Sequence, residues 1–325
     1  MEAVETYLRR AVELAKRGRG HTRPNPPVGA VVVRDGKIIG EGYHHRCGEP
    51  HAEVMALTHA RECGNDPRGA DLYVTLEPCS HAGRVGACTE AIKSAGIRHV
   101  VFAVSDPNPR NADGAIATLS QAGIACEQAP LEIAQRVGAL DLIAPFAKFM
   151  TQKLPFVTVK IAMSLDGKVC DDFGSAHWIS SAAARAKTGE YREWVDAILV
   201  GAETVRADNP SLLSHGAPNP DLIRVVATRS GNVPKTAQIF TDGQNPTEVY
   251  TNPNSLRDLL SDLAERHHVM HVLCEGGLKL ATALAKEGLV DEWVTVLAPK
   301  VIGHDPLSKA VEVPHLRVIV DTPEA

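Results

Sequence analysis

The sequence predicts an α/β protein of two domains, and three observations lead there. The chain has 325 residues, about twice the ~150 of a common domain. β-branched apolar runs alternate with stretches of helical period, the pattern of a largely parallel or mixed sheet with helices on its faces. The alternation pauses between Pro145 and Pro155 and restarts at Phe156. The division is therefore expected near 147–154, giving domains 1–147 and 148–325.

Each element has its own signal. Val4, Leu8, Ala11, Val12 and Ala15 share one face of a helix that stops near Gly18. Prolines forbid helix over 21–27. Strands are expected over 28–34 and 37–44, joined at Asp35-Gly36, the pair best suited to a tight hairpin. A helix over 51–61, a strand over 71–76, a helix over 89–94 stopped by Gly96 and a strand over 99–104 follow. Helices over 114–121 and 131–142 complete the first half, with a short connector between Pro145 and Pro155. In the second half, strands are expected over 156–162, 197–200, 222–227, 271–273 and 293–297. Helices are expected over 182–194, 255–266 and 278–286.

Composition excludes several classes. Hydrophobic residues make up 44% and charged residues 22%, which supports packed cores rather than disorder. No apolar run approaches the ~18 residues of a membrane helix. Residues 1–5 lack the basic and apolar regions of a signal peptide. A net charge of -5 and 4% aromatics disfavour a nucleic-acid partner, which wants a basic face and stacking rings. Seven thinly spread cysteines, an odd number, point to a reducing, cytoplasmic setting with free or metal-bound thiols.

The chemistry concentrates on His51, Glu53, Cys79 and Cys88. One imidazole and two thiolates can hold Zn²⁺ and leave its fourth position open to water. Zinc lowers that water's pKa toward ~7. Glu53 is not needed as a ligand and can carry protons, the arrangement of hydrolytic deamination. A purely structural zinc has no use for it. His51 and Glu53 converge only if they sit at an irregular first helical turn. Both cysteines are expected at helix starts, where the dipole favours thiolate. Eight residues separate Cys79 from Cys88, against two in cytidine and nucleic-acid deaminases. The insert carries His81 and Arg84, either of which could grip a phosphate or a pyrimidine edge or simply face solvent.

Residues 156–320 contain no Gly-x-Gly-x-x-Gly fingerprint. Glu275-Gly276-Gly277 before a helix suits a phosphate, and equally suits a tight strand-to-helix turn. Residues 201–210 read as a polar loop at a strand's C-terminal end, where α/β sheets bind ligands.

Several stretches resemble one family. They are Pro24-Asn25-Pro26-Pro27-Val28-Gly29, Glu41-Gly42-Tyr43-His44, Gly48-Glu49-Pro50-His51-Ala52-Glu53, Tyr73-Val74-Thr75-Leu76-Glu77-Pro78-Cys79-Ser80-His81 and Asp106-Pro107-Asn108-Pro109. The long cysteine spacing is characteristic of the same family, the bifunctional riboflavin-biosynthesis proteins that fuse a pyrimidine deaminase to a pyrimidine reductase. In the second half, the stretches at 160–168, 178–179, 204–210, 275–277 and 290–292 look like its reductase domain. The resemblance implies a cytidine-deaminase-like three-layer α/β/α domain followed by a dihydrofolate-reductase-like α/β domain. It implies one zinc on His51, Cys79 and Cys88, with Glu53 as proton shuttle. Deaminase substrate contacts would come from Asn25, His44, His81, Arg84, Asp106 and Asn108. NADPH would face Met163, Trp178, Thr204, Asp208 and Gly277, and the reductase substrate Lys160, Arg192, Leu212 and Glu275.

The implied reactions are hydrolysis of the ring 2-amino group of 2,5-diamino-6-ribosylamino-4(3H)-pyrimidinone 5′-phosphate, then reduction of its ribosyl chain to ribityl. The implied partner is thus a small phosphorylated pyrimidine. A homo-oligomer, dimer or tetramer, is expected. The chain departs from the family at 85–87, which is usually Thr-Pro-Pro, and at 111–115, usually Val-x-Gly-x-Gly. Ala176, His215 and Thr228-Arg229 replace a usual serine, arginine and Asp-Ser. The alternative is a pyrimidine deaminase whose second domain is impaired or repurposed.

Overall fold

The structure, a computed structural model, describes residues 2–81, 86–109, 111, 114–170, 179–214, 218–303 and 311–312. It divides into two compact units. One takes Met1–Phe156 with Trp194–Asp196 and Arg257–His271; the other takes Val157–Glu193, Ala197–Leu256 and Val272–Ala325.

The first unit opens with α1 (Glu2–Ala15), then the hairpin β1 (Gly29–Arg34) and β2 (Lys37–Tyr43), then α2 (Ala52–Glu62). The hairpin turns at Asp35 and Gly36, both with positive φ (51° and 73°), as a two-residue primed turn requires. β3 (Asp71–Leu76), α3 (Cys88–Ala95), β4 (His99–Val104), α4 (Gly114–Gln121), β5 (Ala125–Gln128), α5 (Leu131–Arg136) and α6 (Ala139–Gln152) follow. The sheet runs β2-β1-β3-β4-β5. β1 is antiparallel to β2 and β3, and β3, β4 and β5 are parallel. Its central strands β1, β3 and β4 are buried on both faces. Val31, Val33, Tyr73 and Val101 pack with α1, α5 and α6 residues on one side. Ala30, Val32, Leu72, Val74, Val100 and Phe102 pack with residues of α2, α3 and α4 on the other. That alternation makes the expected three-layer α/β/α sandwich.

Two expectations fail here. The helix expected over 131–142 is two helices, parted at Gly138, whose φ of 76° no helix accommodates. The connector expected between Pro145 and Pro155 is instead α6 running to Gln152, with Pro145 inside it. An interior proline costs ~3 kcal/mol. Burial of Leu142, Ile143 and Phe146 outweighs it, at ~1.5–3 kcal/mol for each side chain.

The second part comprises β6 (Phe156–Met163), α7 (Ala182–Gly189), α8 (Tyr191–Trp194), β7 (Ala197–Gly201), α9 (Ala202–Asp208), β8 (Ile223–Thr228) and α10 (Gln238–Thr241). Then come β9 (Thr247–Thr251), α11 (Leu256–His267, which from Arg257 onward belongs to the first unit), β10 (His271–Cys274), α12 (Leu278–Lys286), β11 (Glu292–Leu297), β12 (Lys300–Val301) and β13 (Val311–Glu312). A six-stranded sheet runs β11-β6-β10-β7-β8-β9. The pairs β11–β6, β10–β7, β7–β8 and β8–β9 are all parallel. The loop expected over 201–210 is mostly α9, and the helix expected over 182–194 breaks into α7 and α8 at Glu190. Edge strands β5 and β9 were not expected. No described helix is long and apolar enough to cross a membrane, and no disulfide joins the described cysteines.

Candidate functional site

His51 is the N-cap of α2, in extended conformation (φ -74°, ψ 166°), and Glu53 lies in the first turn. The break in helical geometry lets two residues that would diverge on an ideal helix face one place. Gly42 of β2 makes room: a Cβ there would strike the α2 backbone at Ala56. Cys88 is the first residue of α3, as expected. Cys79 is not at a helix start; it follows the end of β3. The α3 start reaches it another way, because the Cys88 N–H donates to Cys79 Sγ at 3.3 Å.

The ligand atoms of His51, Cys79 and Cys88 all lie within 4.8 Å of one another. His51 Nδ1 is 3.2 Å from Cys88 Sγ and 3.6 Å from Cys79 Sγ. Tetrahedral zinc with bonds of ~2.0–2.3 Å separates neighbouring ligands by roughly 3.5 Å, so this donor set fits the metal. Hydrogen bonds from the Cys88 and His51 side push the Cys79 thiol down to about 4. Cys88 is pushed up by the neighbouring Cys79 and by burial. The buried Glu53 carboxyl is raised to about 7, first by desolvation and then by the Cys79 charge.

His51, Glu53 and Cys79 open into a cavity of about 300 Å³. Of the residues implied to touch the substrate, Asn25, His44, Asp106 and Asn108 line it. His44 Nδ1 lies 3.2 Å from the Pro50 carbonyl, which can only accept, so that nitrogen carries the proton. Nε2 then accepts from the Asn25 amide at 3.0 Å. Burial lowers the His44 pKa, which keeps the ring neutral. The Asp106 carboxyl is raised by burial; it accepts from the Asn108 N–H and the Asn111 amide, both at 2.8 Å. His81 is exposed and lies outside the cavity lining, beside Ser80 and Asn111. Arg84 lies outside the described residues.

Sequence reasoning missed several members. Buried Glu77 accepts from the N–H groups of Asp106 (3.2 Å) and Ala115 (3.1 Å), bracing the Asp106 loop against the start of α4. Phe146, Phe149 and Met150 of α6 form an apolar wall. Their spacing from Leu142 (i, i+4, i+7, i+8) is a helical stripe that Pro145 disguised.

In the other unit, Glu275 gathers two expected substrate residues. Arg192 Nε donates to it at 2.8 Å, and Lys160 Nζ lies 3.6 Å away. Arg192 also donates to the Leu213 carbonyl at 3.0 Å, beside Leu212. Of the expected cofactor residues, Met163 ends β6, while Thr204 and Asp208 lie on α9 directly after β7. Gly277, which has no side chain to cap with, is the N-cap of α12 after β10, with open space where a Cβ would stand. Such an uncapped helix start fits a cofactor phosphate. Trp178, Ala176 and His215 lie outside the described residues.

Comparison with known proteins agrees with both halves. Residues 1–104 match the cytidine and deoxycytidylate deaminase zinc-binding region, and residues 155–318 match the RibD C-terminal domain. The riboflavin biosynthesis protein RibD of Bacillus amyloliquefaciens is 42% identical, over 92% of this chain and 85% of its own. That of Aquifex aeolicus is 38% identical, over 93% and 88%. A Thermotoga maritima crystal structure, a diaminohydroxyphosphoribosylaminopyrimidine deaminase/5-amino-6-(5-phosphoribosylamino)uracil reductase, superposes with a TM-score of 0.84 at 37% identity, covering 93% and 88%. Acinetobacter baumannii RibD gives 0.80 at 36%, with the same coverage. The chain therefore belongs to the RibD family of riboflavin biosynthesis, bifunctional enzymes that join a zinc-binding deaminase to an NADPH-dependent reductase.

Proposed function

We propose that the first unit deaminates diaminohydroxyphosphoribosylaminopyrimidine and the second reduces 5-amino-6-(5-phosphoribosylamino)uracil, the activities named for the Thermotoga maritima protein. The observation that carries the first half is a buried carboxylate, Glu53, set beside a His–Cys–Cys cluster at the wall of a cavity. His51, Cys79 and Cys88 would hold zinc, which when bound would supply an acidified water. Glu53 would accept a proton at its carboxylate and give it to the departing amine; a carboxyl raised by burial suits both near neutrality. Asn25, turned by its bond to His44, presents its Oδ1 to a pyrimidine N–H, and Asp106 accepts from another. Asn108 holds Asp106, and His81 and Arg84 are the remaining substrate contacts of this reading.

In the second unit, Lys160 and Arg192 outnumber Glu275 by one positive charge, which suits a phosphorylated sugar. Leu212 is the remaining substrate contact of this reading, next in the chain to Leu213, whose carbonyl accepts from Arg192. Met163, Trp178, Thr204, Asp208 and Gly277 serve NADPH, which supplies hydride. The cavity wall includes Phe149 and Met150, so the deaminase domain takes in α6 past residue 147, and the reductase follows it. The same reading includes a cytoplasmic homo-oligomer. The exposed Trp293 and Leu297 on edge strand β11 favour contact between copies.

Zinc content tests the metal centre. Purified protein is expected to carry about one zinc per chain, and Cys79→Ser and Cys88→Ser to lose it, because a neutral hydroxyl replaces thiolate poorly. Full zinc in both variants would contradict the ligand set.

A further inference from the structure

Leu212 has a φ of 56° and is 2% exposed. An aliphatic residue in the left-handed region persists only where its surroundings hold it. Two guanidiniums do so. Arg192 Nη1 donates to the Leu213 carbonyl at 3.0 Å, and Arg224 Nη1 donates to the Ser211 carbonyl at 3.1 Å. Each is fixed in turn by a carboxylate. Glu275 holds Arg192, and Asp242 holds Arg224 through both oxygens, at 2.6 and 3.1 Å. Two amides close the ring: Asn219 Nδ2 donates to the Arg192 carbonyl at 3.1 Å, and Asn245 Nδ2 to the Asn219 carbonyl at 2.9 Å. Arg224 Nη2 donates to the Asn245 carbonyl, completing the circuit. Arg224 itself is 2% exposed, the second residue of β8.

A buried ion pair is commonly no more stable than apolar side chains of the same size. Stability alone therefore does not account for an arginine here, whereas a fork that spans Ser211, Asp242 and Asn245 does. We propose that Arg224, oriented by Asp242, is a positioning residue of the reductase: it fixes the Ser211 carbonyl so that Leu212 is presented to the substrate in its left-handed conformation. The inference rests on the reading that Leu212 faces the reductase substrate. Arg224 acts through the loop; NADPH would be held elsewhere, from the ends of β6, β7 and β10.

The test uses the full chain with Arg224→Lys, Asp242→Asn and Leu212→Ala. Lysine keeps the charge but lacks the fork. The measurements are kcat and KM for the deaminated intermediate, KM for NADPH, ammonia release and the thermal midpoint. Arg224→Lys is expected to raise KM for the intermediate about tenfold, the worth of one charge-assisted hydrogen bond. Its kcat and NADPH KM should stay within about twofold, well inside that single-bond effect, with ammonia release unchanged. Asp242→Asn should move the same constant in the same direction, by less. Unchanged KM for the intermediate in both variants overturns the proposal. So does a parallel loss of kcat and of both affinities with a lowered thermal midpoint, since that is a structural role only. If Leu212→Ala raises KM while Arg224→Lys does not, the proposal falls and the placement of Leu212 survives. If only the Arg224 variant raises it, the placement of Leu212 fails and the proposal falls with it, because Arg224 is held to act through Leu212.

Discussion

Glu53, the proposed proton carrier of the deaminase, is 3% exposed, and its carboxyl, raised to about 7, is a liability to the fold at neutral pH. Glu53→Gln keeps the shape and removes the proton site. Zinc should remain, ammonia release should fall by ~10²–10⁴-fold, the usual worth of a positioned acid–base group, and reduction of the deaminated intermediate should hardly change. A near-normal deamination rate would show that another group carries the proton. The stability consequence has a definite sign. An unfolded glutamate titrates near ~4.3, so the folded chain binds the extra proton between that value and about 7. This contribution is full below the lower pKa and lost as pH rises through the upper one. In chelator-stripped protein, Glu53→Gln should flatten the decline of the thermal midpoint between about pH 4.5 and 7.5. Parallel curves for the two proteins would contradict the raised carboxyl.

At the scale of elements, legibility followed burial and cap chemistry. The Asp35-Gly36 hairpin, the stop of α3 at Gly96 (φ 67°) and the start of α2 at His51 were all readable, because one or two residues decide each. β5 and β9 were not: they are short edge strands carrying Glu127 and Gln128, or Thr247 and Glu248, with no apolar alternation to announce them. α9 lacks a long apolar stripe, having only Ala202 and Val205 buried, so it read as loop. α6 was hidden for a different reason: a local rule about proline lost to tertiary burial. Its wall gives an element-scale prediction. Phe149→Ala should raise the deaminase KM about five- to tenfold, for ~1 kcal/mol or slightly more of lost apolar contact. Reductase constants should be unchanged. An unaltered deaminase KM would remove α6 from the substrate's surroundings.

For the whole molecule, the two halves differ in how openly the sequence states them. The candidate metal ligands His51 and Cys79 lie within short signatures and Cys88 opens α3, so the His–Cys–Cys set could be read from the chain. The proposed reductase site brings together Lys160, Arg192, Glu275 and the Leu213 carbonyl beside Leu212, over a hundred positions apart at the extremes. Only the resemblance could point to most of them, and the bracing by Arg224 and Asp242 had no local signal. The departures at Ala176 and His215 lie outside the described residues and bear on the reductase. The central claim is that one chain performs both reactions in order. Incubating purified protein with the diaminopyrimidine phosphate and NADPH, while following ammonia and NADPH together, tests it most directly. The expected result is ammonia release followed by about one NADPH oxidised per ammonia, since each deaminated molecule takes one hydride. Ammonia release with no NADPH oxidation, even when the deaminated intermediate is supplied directly, would contradict the account and leave a deaminase with a repurposed second domain.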